Sequence, residues 1–442
     1  MSQYLNKVVK FGGSSLASAE QIRKAASIVK ADGSRRYVVV SAPGKRFDSD
    51  RKVTDLLVEL YELASAGKPF DKQFAEIRER YEEIIKVLEL DLDLKEEFDV
   101  LKEQAANGAS KDYVVSRGEY FSGLIIAAFL RVTFIDASEV VFFDEEGKLE
   151  ADLTNRVMAR RLQRQPAAVI PGFYGSMPDG SVKTFSRGGS DITGAIVARA
   201  AKADLYENWT DVSGFLMADP RVVENPRRID LITYRELREL SYMGASVLHE
   251  EGIFPVKVAG IPINIKNTNR PDDKGTFIVA SAHDLPQECG AITGIAGKKG
   301  LSLLHIEKDM MNNAIGFGAR VLSEIADMGL SFEHLPSGID TMSVVLMASD
   351  IAGREGELQD RIARALDPDL LTLETGLALI AVVGRGMAGS PGTAARIFSA
   401  LGKEEINVRM IDQGSSELNI IVGVHEQDFE RAMRAIYGEF SK

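Results

Sequence analysis

Cysteine is almost missing from this chain: Cys289 is the single one among 442 residues. That excludes a disulfide framework and a thiolate-built metal site. Histidine is scarce too. His249, His283, His305, His334 and His425 show no metal-ligand spacing, no resident metal is expected, and no Ser/His/Asp arrangement is readable. Positive charge is in deficit, with 53 Lys and Arg against 65 Asp and Glu and a net charge of −12. Nucleic acid and anionic membranes are therefore disfavoured as main partners, because phosphate affinity needs concentrated Lys and Arg, although a local basic pocket remains compatible. No apolar run approaches the ~18 residues of a membrane span, and residues 123–130, the most apolar stretch, fall far short. Lys7, Lys10 and the glycines after them leave no apolar core for a signal peptide. These absences predict a cytoplasmic protein, and the length predicts about three domains.

What is present is an alternation of strand and helix. Lys7-Val8-Val9-Lys10-Phe11 reads as a strand, followed by a Gly12-Gly13-Ser14-Ser15 turn and a helix over 19–30. Tyr37-Val38-Val39-Val40-Ser41 is a β-branched run closed by Ala42-Pro43-Gly44, the pattern of a buried parallel strand. Residues 53–104 are charged and helical, a solvated layer or lid. Further strands are expected at 133–135, 140–143, 167–170 and 204–209, giving a layered α/β domain up to about residue 290. Beyond it the rhythm changes to β-α-β-β-α-β over 301–374. A second copy starts at 377 and ends one strand short, so residues 292–296 are expected to fill the vacant place.

Four glycine-rich clusters bear on chemistry. In Lys10-Phe11-Gly12-Gly13-Ser14-Ser15, glycines allow close backbone approach, the helix start offers N–H groups to phosphate, and Lys10 supplies a point charge. Its Lys precedes the glycines, so it is not a Walker A loop. Arg187-Gly188-Gly189-Ser190-Asp191 enters another helix, with a planar fork for a carboxylate in Arg187 and a capping hydroxyl in Ser190. Thr210-Asp211-Val212-Ser213-Gly214 follows a strand, where open α/β sheets bind ligands, and runs on to Asp219-Pro220-Arg221. Gly384-Arg385-Gly386-Met387-Ala388-Gly389 matches G-x-G-x-x-G, but too little chain follows for a dinucleotide fold, and a tight turn explains it better. Glu119, ahead of the most apolar helix, is placed to meet an ammonium group, and Thr54 opens a helix with a hydroxyl.

Together these clusters, with Gln413-Gly414-Ser415-Ser416-Glu417, resemble the aspartate kinase family over essentially the whole chain. The resemblance implies a three-layer α/β amino acid kinase fold with a mainly parallel sheet over 1–290, then two ferredoxin-like βαββαβ ACT domains, 300–375 and 291–299 plus 376–442. It implies transfer of the ATP γ-phosphate, with Mg²⁺, to the side-chain carboxylate of L-aspartate, the entry step to lysine, threonine and methionine synthesis. Lys10 and Asp191 would be catalytic. Lys10, Gly12, Gly13, Ser14, Ser41, Thr210, Asp211, Asp219 and Arg221 would hold ATP, and Thr54, Glu119, Arg187, Gly188, Gly189 and Ser190 would hold aspartate. Two departures stand out: relatives carry Lys where this chain has Ser246, and Tyr where it has Leu216. The phosphates thereby lose a positive charge, for which Lys257 and Lys266 are candidate substitutes. The sensor pair implies an amino acid effector, lysine favoured over threonine or combined control, held by Met311, Phe317, His334, Leu335, Pro336, Ser337 and Asp340, with homodimers or larger homo-oligomers formed through the sheets. Two other readings stay open: a non-catalytic sensor that keeps the kinase shell, and a kinase of glutamate or acetylglutamate.

Overall fold

The computed structural model describes residues 6–186, 188–245, 250–280 and 290–441. They fall into two compact units that do not follow a single cut in the chain. The first comprises Met1–Phe215, Asp230–Tyr234 and Val247–Leu285; the second comprises Leu216–Ile229, Arg235–Ser246 and Pro286–Lys442.

The first unit begins with β1 (Lys7–Phe11), α1 (Ala19–Ala31) and β2 (Arg35–Val40), followed by four consecutive helices, α2 (Val53–Ser65), α3 (Asp71–Val87), α4 (Lys95–Ala106) and α5 (Lys111–Leu130). After β3 (Thr133–Phe134) and α6 (Ala151–Gln163) come β4 (Ala168–Pro171), the small hairpin β5 (Tyr174–Ser176) and β6 (Val182–Thr184), then α7 (Gly189–Ala200) and β7 (Leu205–Thr210). The unit closes with β8 (Leu231–Thr233), α9 (Phe254–Ala259), β9 (Ile263–Asn267) and β10 (Thr276–Val279), while α8 (Tyr234–Tyr242), which follows β8 in the chain, belongs apart from Tyr234 to the second unit. Eight of these strands form one sheet in the order β3-β4-β2-β1-β7-β9-β10-β8. Every pair in it is parallel except β9 with β10.

All five β1 residues are buried: Val8 on one face and Val9 and Phe11 on the other are apolar, as in a covered parallel strand, while Lys7 and Lys10 are buried charges. Val9, Phe11, Val38 and Val40 pack against α1 and the α2–α5 layer, where Tyr81, Phe98 and Phe121 form a ring cluster with centroids 4.5 Å (Phe98–Phe121) and 5.3 Å (Tyr81–Phe121) apart. The charged helical stretch is thus a packed layer and not a lid: Leu57, Leu60, Ile77 and Leu101 are completely buried. On the opposite sheet face α7 lies across β1, β2 and β7, flanked by α6 and α9. The strand expected at 140–143 is reduced to isolated bridges, Phe142 to Ser176 and Phe143 to Leu149. Its Phe142 N–H donates to the Thr154 hydroxyl at 2.9 Å instead of to a ladder.

The second unit contains β11 (Gly294–Glu307), α10 (Phe317–Asp327), β12 (Phe332–His334), β13 (Thr341–Met347), α11 (Ala348–Ile351) and α12 (Glu355–Leu366). It continues with β14 (Leu370–Val383), α13 (Thr393–Lys403), β15 (Val408–Asp412), β16 (Asn419–His425) and α14 (Phe429–Phe440). The strands run β12-β13-β11-β14-β16-β15 in one sheet. β11 and β14 are 14 residues each and pass through both repeats. One end of β11 pairs with β13 and the start of β14, and its other end, Gly294 to Lys298, lies against Val383 to Leu379. Two separate apolar cores result, one around Val321, Leu346 and Ile362, the other around Ile380, Leu401 and Val422.

The G-x-G-x-x-G segment forms a 3-10 turn at Arg385–Met387. Its Arg385 N–H and guanidinium both donate to the fully buried Glu236 carboxylate of α8, at 3.0 and 2.9 Å. A backbone donor committed to a carboxylate of its own chain leaves nothing of the phosphate-binding role the motif would need.

Candidate functional site

The carboxyl ends of β1, β2 and β7 are neighbours in the parallel sheet, and their loops meet where the chain switches from one side of β1 to the other, the general location of ligand sites in open α/β sheets. A cavity of about 760 Å³ opens there. Lys10, Gly13, Ser14, Ser41, Thr54, Glu119, Gly188, Gly189, Ser190, Asp191, Thr210 and Asp211 all line it. Residues from seven loops and elements, scattered over two hundred positions of sequence, are thus gathered into one cleft.

Lys10 is buried, and its ammonium lies 2.7 Å from Asp191 Oδ1 in the first turn of α7. Asn208 of β7 ties the pair together: its Nδ2 donates to Asp191 Oδ1 at 2.8 Å, and its Oδ1 accepts from Lys10 Nζ at 3.5 Å. Lys10 is therefore held on the cavity lining between Asp191 and Asn208. Beside it the chain turns through a 3-10 segment, Gly13–Leu16, which packs on the β2–α2 loop. Gly44 N–H donates to Gly13 O at 2.8 Å, and a Cβ on Gly44 would come 2.7 Å from the Gly13 carbonyl carbon. The two backbones touch, and only glycine permits that. Gly188, with φ of 59°, occupies the left-handed region and N-caps α7 without a side-chain cap; its carbonyl accepts from Asp191 N–H at 2.8 Å and from Ile192 N–H at 3.1 Å.

Glu119 lies inside α5 rather than before it, buried on the cavity wall. Oε1 accepts from Ala42 N–H at 3.0 Å, and Oε2 has no hydrogen-bond partner within the protein. Burial pushes its pKa up to about 7, offset in part by the Ala42 N–H and by the Lys10 and Arg117 charges. A buried carboxylate with one oxygen unsatisfied is a ready acceptor for a ligand cation. Ser190, expected to cap α7, is instead within its first turn, because Gly188 takes the cap.

Other expected residues lie elsewhere. Gly12 donates its N–H to Trp209 O at 3.0 Å and is not part of the lining. Asp219 and Arg221 belong to the second compact unit, ion-paired to each other at 2.6 Å with Arg221 85% exposed. Arg187, Ser246 and Cys289 lie outside the described residues. Lys257 and Lys266 are not among the residues that line the cavity. Lys266 is half-buried over the Trp209 ring, 5.1 Å from its centroid, and burial lowers its pKa. In the second unit, His334 Nδ1 is 3.0 Å from Asp412 Oδ2, joining the two repeats. Asp340 is exposed, Ser337 bridges to Met342, and Pro336 O accepts from Ser343 N–H at 2.8 Å. Met311 and Phe317 are buried in the apolar core of the first repeat, and Leu335 packs against that core.

Sequence reasoning missed three features of the cleft. Asn208 was legible as an amide next to Glu207 between the large apolar side chains of a strand. Phe173, which lines the cavity with φ of 78°, carries no such signal. Neither does the loop Lys45, Arg46, Phe47, Asp48 and Lys52, which supplies five lining residues.

A central sheet read at its carboxyl edge, a glycine turn against a buried lysine, and a carboxylate–lysine–amide triad together define a phosphotransferase acting on a small molecule. Comparison with known proteins agrees. The amino acid kinase family model matches residues 7–267, and an ACT domain model matches 380–440. Aspartokinase 3 of Bacillus subtilis is 42% identical, with 98% of both chains covered. The crystal structure of Clostridium acetobutylicum aspartate kinase superposes with a TM-score of 0.91 at 50% identity, covering 98% of this chain and 99% of that one. Two structures of E. coli aspartokinase III, one with aspartate and ADP in the R-state and one with lysine and aspartate in the T-state, give TM-scores of 0.75 and 0.73 at 28% identity, each covering 99% of this chain and 100% of that one. The chain belongs to the aspartokinases of the amino acid kinase family, and its C-terminal unit is built on ACT domains.

Proposed function

We propose that this cavity transfers the terminal phosphoryl group of ATP to the side-chain carboxylate of L-aspartate, giving 4-phospho-L-aspartate for lysine, threonine and methionine synthesis. The observation that carries the reading is the Lys10–Asp191–Asn208 cluster set against Glu119 across one cleft. The acceptor carboxylate is already ionised, so no general base is needed, and the protein's work is positioning and charge neutralisation. Lys10 and the Gly13 and Ser14 turn steady the phosphoryl group, and Asp191 holds Lys10. Ser41, Thr210 and Asp211 serve the nucleotide. Mg²⁺ arrives with ATP as its counter-ion. Arg187 clamps the aspartate α-carboxylate, Glu119 accepts its ammonium, and Thr54 and the Gly188-Gly189-Ser190 helix start complete the pocket.

The catalytic part is 1–290, and the sensors are 300–375 and 291–299 plus 376–442. Lysine is the favoured effector, in keeping with the lysine-bound structure of E. coli aspartokinase III. It would bind near His334, Leu335, Pro336, Ser337 and Asp340, with Met311 and Phe317 shaping the pocket from beneath. An effector that prefers an inactive state lowers activity by shifting the population. Homodimers or larger homo-oligomers form through the ACT sheets, and the protein works in the cytoplasm. Hydroxylamine trapping with ATP, Mg²⁺ and aspartate tests the chemistry: a hydroxamate should form with aspartate and not with glutamate. Arg187→Ala should abolish aspartate use while ATP binding persists, and equal loss of both would contradict the assignment.

A further inference from the structure

The charge balance of the cavity is incomplete without the loop between β2 and α2. Four basic side chains of the described residues line the cleft: Lys10, Lys45, Arg46 and Lys52. Lys10 is neutralised by Asp191 at 2.7 Å. Arg46 is spent on Asp50, at 2.9 and 3.1 Å, and on Glu83 at 3.1 Å. Lys45 and Lys52 are exposed and ion-paired with no carboxylate among the described residues; Lys45 Nζ donates only to the Asp48 backbone carbonyl, at 3.1 Å. The uncommitted positive charge of this cleft therefore sits on a loop to which the family resemblance assigns no role.

That loop is rigidly mounted at the point that matters. The buried Arg80 guanidinium donates to Gly44 O at 2.7 Å, to Ala17 O at 3.0 Å and to Asp50 Oδ2 at 2.8 Å. Asp50 in turn accepts from Arg46 N–H at 2.9 Å, and the Arg46 hydrogen bonds and the Arg80 charge hold its carboxyl well below the usual carboxylate range. Gly44 lies on Gly13, as described above. The backbone of Lys45 thus starts one residue from the phosphate turn, whereas Lys52 stands at the start of α2, two residues before Thr54.

We propose that Lys45 is a further phosphoryl-binding residue, presented by the 44–52 loop to the group in transfer. This rests on reading the cavity as the kinase site. A flexible ammonium beside the turn meets the charge that develops between ATP and the aspartate carboxylate, which a lysine already paired to Asp191 meets only in part. It also offers this chain a source for the positive charge that the family resemblance leads one to expect at Ser246.

The test is steady-state kinetics on the full chain with Mg²⁺-ATP and aspartate, comparing Lys45→Ala, Lys45→Gln and Lys45→Arg, with thermal unfolding of each. Ala and Gln should both lower kcat/KM for ATP by about 10- to 100-fold, the range of a charge-assisted hydrogen bond, and Arg should restore most of it. Thermal midpoints should stay at the parental value. Parental kinetics in Lys45→Ala would overturn the inference. So would a normal Lys45→Gln, which would leave the Asp48 carbonyl bond as the only role, or a rate loss matched by loss of folded protein. Lys10→Ala in the same assay separates the two levels: parental activity there sinks the reading of the cavity, whereas an inactive Lys10→Ala beside a normal Lys45→Ala sinks only the role given to Lys45.

Discussion

Replacing Glu119 by Gln should make the ligand-free protein more stable while weakening its hold on aspartate. Burial raises the Glu119 pKa from 4.5 to about 7, so between those values the folded chain binds a proton that the unfolded chain has released. Stability then falls as pH rises through that window, and the full penalty stands above pH 7. At about 1.4 kcal/mol for each tenfold change in proton affinity, the rise corresponds to about 3 kcal/mol. Gln keeps an oxygen for the Ala42 N–H and has no charge to bury. The stability difference between Glu119→Gln and the parent should accordingly be near zero at pH 4.5 and grow to about 3 kcal/mol in favour of the variant above pH 7. Thermal or urea unfolding at several pH values, without aspartate, reads this directly. Aspartate must be absent because a ligand that binds the folded parent adds its own stabilisation. In the enzyme assay the same variant should need about 10- to 100-fold more aspartate, since the charged acceptor for the ammonium is gone. The parent's kcat/KM for aspartate should fall as pH drops below about 7, where Glu119 takes up its proton. A stability gain that does not change with pH, or a variant less stable than the parent at pH 8, would refute the reasoning.

Gly44→Ala places a Cβ 2.7 Å from the Gly13 carbonyl carbon, a contact the backbone must yield to. It should lower stability by about 1–3 kcal/mol and raise KM for ATP, measured by unfolding and initial rates. Glu236→Ala leaves the Arg385 guanidinium and N–H without that carboxylate in a fully buried place. The expected loss is about 3–5 kcal/mol from the second unit, seen as an earlier unfolding transition in calorimetry, and Glu236→Gln should recover part of it.

Much of the sheet was readable because its strands are short, β-branched and bounded by turn residues: the run at 7–11 is β1 as it stands, and 341–347 is β13. Residues 140–143 are equally β-branched and aromatic, yet the Thr154 hydroxyl takes the donor a ladder would use. No pattern within four residues reports a competitor twelve positions away. The position of Glu119 was misjudged by a related cause. Arg117 is stacked between the rings of Tyr113, Tyr120 and Tyr174, and this lets a charged segment sit within a buried helix instead of ending it.

By itself the sequence determined the chemistry on offer: a lysine before a glycine turn, an Arg-Gly-Gly-Ser-Asp helix entry, and polar residues at the ends of apolar strands, because residue type and local spacing are properties of the chain alone. Only the tertiary structure decided which of these groups meet. Lys10 and Asp191 are 181 positions apart and become a 2.7 Å pair because α7 crosses the face of the sheet that holds β1. Met311 and Phe317 look like pocket residues in a glycine-bounded loop and are core, because the fold brings them into one apolar cluster with Leu304, Met342 and Val344 of distant strands. The protonation of Glu119 is likewise absent from its neighbours in sequence. It follows from removing a carboxylate from water, and burial exists only once the fold does.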